Sequence, residues 1–173
     1  MPISCGKALS YSEIHSLEIK YNISLPYDYR EFLEKYNGFV VKSPDFSELR
    51  YDGVDEGIIA FHALFGMGIQ NHYNDIVYHN ENFLNEIDFL KEKIIIGDDP
   101  GGNYFLIINV DDEKGVYYWD RTHLHSEDDI QNFSISEKND SGNIYKITDD
   151  FSSFCDLVFE TTVELGMEIS NDI

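Results

Sequence analysis

Cysteine is scarce in this chain: its 173 residues hold only Cys5 and Cys155. Two cysteines cannot build a disulfide scaffold, and nothing else points to an oxidising compartment. Basic residues are scarce as well. Twelve Lys and Arg stand against 33 Asp and Glu, a formal net charge of −21. That balance excludes direct nucleic-acid binding over most of the surface, because phosphate backbones are gripped by clustered Lys and Arg. Anionic membranes are disfavoured for the same reason. Long apolar runs are missing too, and none approaches the roughly 20 residues of a membrane helix. Met1–Ser10 contains no basic and apolar leader. The expected location is therefore the cytoplasm. Finally, the sequence has no G-x-S-x-G elbow and no P-loop spacing. No catalytic residue and no cofactor is assigned.

What is present argues for a folded domain. Apolar residues make up 42% and aromatics 14%, with 12 Tyr and 12 Phe, which a disordered acidic chain would lack. The length suits one domain. The acids are unevenly spread. Residues 1–86 carry 6 basic and 13 acidic side chains, whereas residues 87–173 carry 6 and 20. An acidic binding face is expected in the second half.

The pattern reads helix, helix, strands, short helix, three strands, loop, helix. Ser10 and Glu13 have capping-box spacing, and Ile14, Leu17 and Tyr21 follow on one face. Pro26 suits the start of a second helix, in which Leu25, Tyr29, Phe32, Leu33 and Tyr36 form the apolar stripe and Asn37-Gly38 the stop. Phe39–Val41, Leu49–Tyr51 and Gly57–Leu64 read as strands, and 74–82 as a short helix. Residues 83–90 stay open between loop and helix. Lys93–Ile96, Tyr104–Val110 and Val116–Trp119 are strands, the last two a hairpin closed by Asp111–Gly115. Residues 123–142 read as a polar surface loop or insertion, followed by a strand over 143–147. The last helix starts near Asp149 or Asp150 and buries Phe151, Phe154, Cys155, Val158, Phe159 and Thr162.

Each chemistry-bearing cluster has a simpler reading. The Gly97–Asn103 loop is glycine-rich, but Asp98 and Asp99 within it would repel phosphate, so a tight turn is the better account. Asp98, Asp99 and Asp120 fall at one end of the sheet, and Asp111, Asp112 and Glu113 at the other. Either set offers oxygen ligands for Ca²⁺ or Mg²⁺, yet neither has the EF-hand pattern. His62, His72, His79, His123 and His125 lack a recognised zinc spacing. No metal site is assigned. Cys155 lies on an apolar stripe and reads as a small core residue, whereas Cys5 stands in a terminal segment expected to be mobile.

Four segments resemble a known family. Leu25-Pro26-Tyr27-Asp28-Tyr29-Arg30-Glu31-Phe32-Leu33, closing with Asn37-Gly38, is similar to the opening of the SUKH superfamily. This superfamily includes fungal Smi/Knr cell-wall-assembly regulators and bacterial immunity proteins. Ile96-Gly97-Asp98-Asp99-Pro100-Gly101-Gly102-Asn103-Tyr104 resembles its middle signature. Val116-Tyr117-Tyr118-Trp119-Asp120 and Asp150-Phe151-Ser152-Ser153-Phe154 resemble the next two. The four occur in family order. One departure is Arg121, where members often carry His directly after the Trp-Asp pair.

The resemblance implies an α+β single domain. Its central mixed or antiparallel sheet is flanked by two N-terminal helices and a C-terminal helix. The domain is drawn at 10–165, with 1–9 and 166–173 as terminal extensions. It also implies a non-enzymatic immunity protein whose partner is a cognate toxin domain with a basic surface, such as a nuclease. Two alternatives stand beside it: a Smi/Knr-type regulatory module unrelated to toxins, and a metal-dependent enzyme. On the first reading Asp98, Asp99, Asp111, Asp112, Glu113 and Asp120 are the partner-facing acids and Trp119 is the anchor. Tyr117, Tyr118 and Trp119 alternate across a strand. The sequence leaves open whether the second face is exposed or covered by a helix.

Overall fold

The computed structural model describes residues 2–42, 47–54, 56–122, 124–125, 142–163, 168–170 and 173. Of the loop expected over 123–142, residues 123 and 126–141 lie outside the described residues. Four α-helices are described: α1 (Tyr11–Tyr21), α2 (Tyr27–Lys35), α3 (Ile76–Phe83) and α4 (Phe151–Val163). The strands are β1 (Pro2–Cys5), β2 (Phe39–Val41), β3 (Ser47–Arg50), β4 (Ile58–Phe61), β5 (Ala63–Leu64), β6 (Lys93–Asp98), β7 (Tyr104–Ile108), β8 (Gly115–Asp120), β9 (Asn143–Thr148) and β10 (Glu168–Ser170). Short 3-10 turns cover His72–Asn74, Leu84–Ile87 and Asp111–Glu113.

Local chemistry accounts for the helix ends. Ser10 and Glu13 form a reciprocal capping box: the Ser10 amide donates to the Glu13 carboxylate at 2.8 Å, and the Glu13 amide donates back to Ser10 Oγ at 3.4 Å. Asn37 and Gly38 both have positive φ after α2. Asn37 then pins the chain to residue 67, accepting from the Met67 amide at 2.7 Å and donating to its carbonyl at 3.1 Å.

Among the described residues, eight strands form one sheet in the order β10-β1-β2-β5-β6-β7-β8-β9. Only the β1–β10 pairing is parallel. Consecutive residues of a strand face opposite sides, so both faces of β7 and β8 must find cover. Phe105 and Tyr118 share one face, and α4 covers it through Phe154, whose ring lies 5.2 Å from that of Phe105. The other face carries Tyr104 and Trp119, with ring centroids 5.7 Å apart. It is closed by Phe65, by His79 of α3 and by Phe83. The open question about the second face is settled: it is covered, and Tyr118 and Trp119 are both fully buried. Burying one such large side chain contributes roughly 1.5–3 kcal/mol. Asn80 of α3 ties that helix to β6 by bonding both the N–H and the C=O of Ile95, beside a register shift between Ile95 and Gly97.

Two expectations change, and one open reading is resolved. The run 57–64 is two strands, not one. It breaks at His62, whose backbone bonds to Val41 and Asp98. β4 pairs with β3 in a separate two-stranded sheet, while β5 joins the large one. Within the segments drawn as terminal extensions, the described strands β1 and β10 belong to the large sheet: β1 pairs with β2 and β10 pairs with β1. The unpaired edge of β2 recruits the N-terminus, and Ile3 and Cys5 are buried in consequence. The open segment 83–90 contains the end of α3 and a 3-10 turn.

Candidate partner-binding site

The register places the acids at two opposite ends of the sheet, as the sequence suggests. Asp98 pairs with Tyr104, which pairs with Trp119, so Asp98, Asp99 and Asp120 share one end. Ile108 pairs with both Lys93 and Gly115, which puts Asp111–Glu113 at the other.

At the first end the acids turn inward. Asp99 is 2% exposed. Its Oδ1 accepts from the amides of Gly101 and Asn103, both at 2.8 Å, and its Oδ2 accepts from Asn103 Nδ2 at 3.0 Å and the Tyr118 hydroxyl at 2.8 Å. Gly102, at φ +87°, supplies the backbone conformation that lets the loop curl around this carboxylate. Gly97 is required for a different reason: a Cβ there would lie 2.3 Å from the Ala63 carbonyl oxygen, where β5 and β6 meet. Asn103 extends the network by accepting from the amide and hydroxyl of Thr122, both at 2.9 Å. Asp120, fully buried, accepts from the amides of Leu124 at 2.7 Å and His125 at 3.0 Å and so shapes the turn after β8. Burial and the adjacent Asp99 push the Tyr118 phenol upward.

Asp98 differs from its neighbour. Its Oδ1 meets His62 Nδ1 at 2.9 Å, and both side chains keep partial contact with solvent. Burial pushes Asp98 up to about 6, against the opposing pull of His62. The bond to Asp98 raises His62. Arg121 forks onto Glu86 at 2.7 and 2.8 Å and stacks its guanidinium 4.9 Å above the Phe83 ring.

These observations correct the expected site. Asp99, Asp120 and Trp119 do not face outward. The first two satisfy backbone and side-chain donors inside the turns, and Trp119 packs beside Tyr104 with no exposed surface. Asp98 is largely engaged by His62. Asp111, Asp112 and Glu113 remain as exposed acids, on a 3-10 turn with no side-chain cap. Beside that turn, the β9–α4 turn presents exposed Asp149 and Asp150; on α2, Tyr27 is 75% exposed. Tyr27 was absent from the expected site although its signal is in the sequence. Tyr27 and Tyr29 are two apart on a helix, so they point in different directions, and only Tyr29 falls on the apolar stripe.

Among the described residues, no three His, Cys, Asp or Glu side chains converge as metal ligands, and no helix is long and apolar enough to cross a membrane. A comparison with curated proteins finds no match. A family model does match residues 8–157, and by that match the chain belongs to the SMI1 / KNR4 family (SUKH-1).

Proposed function

We propose that the chain is a non-enzymatic immunity protein that acts in the cytoplasm by binding a cognate protein toxin and blocking it. Membership of a family that includes immunity proteins supports this reading. The observation that carries it further is the charge: −21 overall, with Asp111, Asp112 and Glu113 displayed together on an exposed turn. A toxin that acts on nucleic acid needs a basic groove, and an acidic face opposed to that groove both steers encounter and occludes substrate. At the other end of the sheet, the buried polar groups Asp99, Asn103 and Asp120 spend their hydrogen bonds on backbone and neighbouring side chains.

The test is capture with the full chain as bait in its native host, followed by expression of the captured protein alone and together with the bait. Recovery of a basic domain that arrests growth alone and is silenced by this chain is expected. Recovery only of housekeeping assemblies, with no growth arrest, would overturn the reading in favour of a regulatory module.

A further inference from the structure

The end of the sheet that carries Asp111–Glu113 also contains a cleft of about 360 Å³. Its floor is apolar, made by Pro26, Val116 and Phe151, and Asp149, Asp150 and Lys114 line its rim. The walls are fixed relative to one another. Asp28 at the start of α2 accepts from the Ser152 amide at the start of α4 at 2.8 Å, and Asp150 accepts from the Ser153 amide at 2.7 Å. Asp149 is different. It is 88% exposed on its side chain and, among the described residues, pairs with Lys146 at 2.6 Å, a surface pair that solvent screens and that a new partner can replace at little cost. Lys114 is outnumbered by Asp149, Asp150 and the three acids that precede it on its own turn.

We propose that this cleft is the docking point for an arginine or lysine side chain carried by a basic protein partner. The aliphatic stem of such a side chain matches the apolar floor, and its cationic head matches the acids at the rim. The proposal rests on the preceding reading that the partner is a basic protein, and it assigns that partner to one surface.

The probe is a short arginine–glycine peptide, titrated at low salt into the isotope-labelled full chain. Amide signals of Lys114, Val116 and Phe151 are expected to shift. The triple variant Asp111→Lys, Asp112→Lys, Asp149→Lys should weaken the response by about tenfold or more, whereas Glu48→Lys, Glu81→Lys, Glu160→Lys, an equal change of charge on exposed acids elsewhere, should not. Asp28 and Asp150 are left intact because they secure the helix starts. No shift, shifts spread over all acidic surfaces, or equal loss in both variants would overturn the proposal. So would an equal response to free arginine, which would assign the cleft to small cations. The two readings fail separately. A captured toxin that binds the first triple variant as tightly as the native chain removes the cleft and leaves the immunity function. Peptide binding confined to the cleft, with no toxin captured, does the reverse.

Discussion

The two ends of the sheet carry similar acid-rich turns and put them to opposite uses. The Gly97–Asn103 loop has Asp98 and Asp99, and the Asp111–Gly115 turn has Asp111, Asp112 and Glu113. In the first, glycines let the backbone curl so that two amides, an amide side chain and a phenol all aim at Asp99. In the second, a 3-10 turn offers the acids no inward donors, and all three remain in water. What decides the fate of a turn carboxylate is the direction of nearby N–H groups, not its own chemistry.

The sharpest way to break this contrast is at Asp99. Asp99→Ala leaves the buried Asn103 amide, the half-buried Gly101 amide, Asn103 Nδ2 and the Tyr118 hydroxyl without their acceptor. Each such loss costs about 1–3 kcal/mol, and the losses share one site, so a total destabilisation of about 3–5 kcal/mol is expected in chemical denaturation. The same substitution at Asp112 serves as the reference. If the two variants melt alike, the inward network is not what holds the first loop.

How far these features were legible before the fold was known follows the same physics. The faces of α1, α2 and α4 could be read because a helix repeats its burial locally: Ile14 and Leu17, Tyr29, Phe32 and Leu33, and Phe151, Phe154 and Val158 are all buried as their spacing requires. The β7–β8 hairpin could be read because its turn is short and its strands are nearly all apolar. β1 and β10 could not, since a strand of three or four residues is defined by a neighbour distant in sequence. The break at His62 was hidden for a similar reason, as its partner Asp98 lies 36 residues away. Asp99, Asp120 and Trp119 were misplaced because acids in glycine-rich turns are usually solvated, and because only α3, packed on the second face, shows that Trp119 has no exit.

Protonation distinguishes the two ends next. Asp98 is pushed up to about 6 and His62 is raised above 6.5, so folding favours the protonated form of each. The contribution of Asp98 is complete below 3.8 and lost as the pH passes about 6. That of His62 is complete below 6.5 and lost at higher pH. Both make stability fall as the pH rises. His79 works the other way. It stacks 3.9 Å from the Phe65 ring, donates from Nε2 to the Tyr73 carbonyl at 2.8 Å, and receives the Tyr104 hydroxyl on Nδ1 at 3.2 Å. Burial lowers it, so its contribution is present above 6.5 and lost as the pH falls. Urea melts between about pH 4 and pH 8 separate these signs. The stability difference between the native chain and His62→Gln/Asp98→Asn should shrink as the pH rises. The difference for His79→Gln should shrink as the pH falls. A flat profile for the first pair would mean that the first end does not titrate, and the contrast with the exposed turn would narrow to hydrogen bonding alone.

The smallest expected effect on stability lies at the other end. Asp112→Lys removes no hydrogen bond and reduces the self-repulsion of a chain with net charge −21, so the fold should gain slightly, by no more than about 0.5 kcal/mol. The same substitution removes a charge from the turn beside the cleft. Association with a basic partner should therefore slow at low salt, and the dependence of its rate on salt should flatten, while the dissociation rate moves little. The two readouts together make the comparison strict. A loss of more than about 1 kcal/mol would make this turn structural like Asp99, and an unchanged association rate would leave it merely solvated. Slower encounter at undiminished stability is the signature of an acid kept outside for a partner.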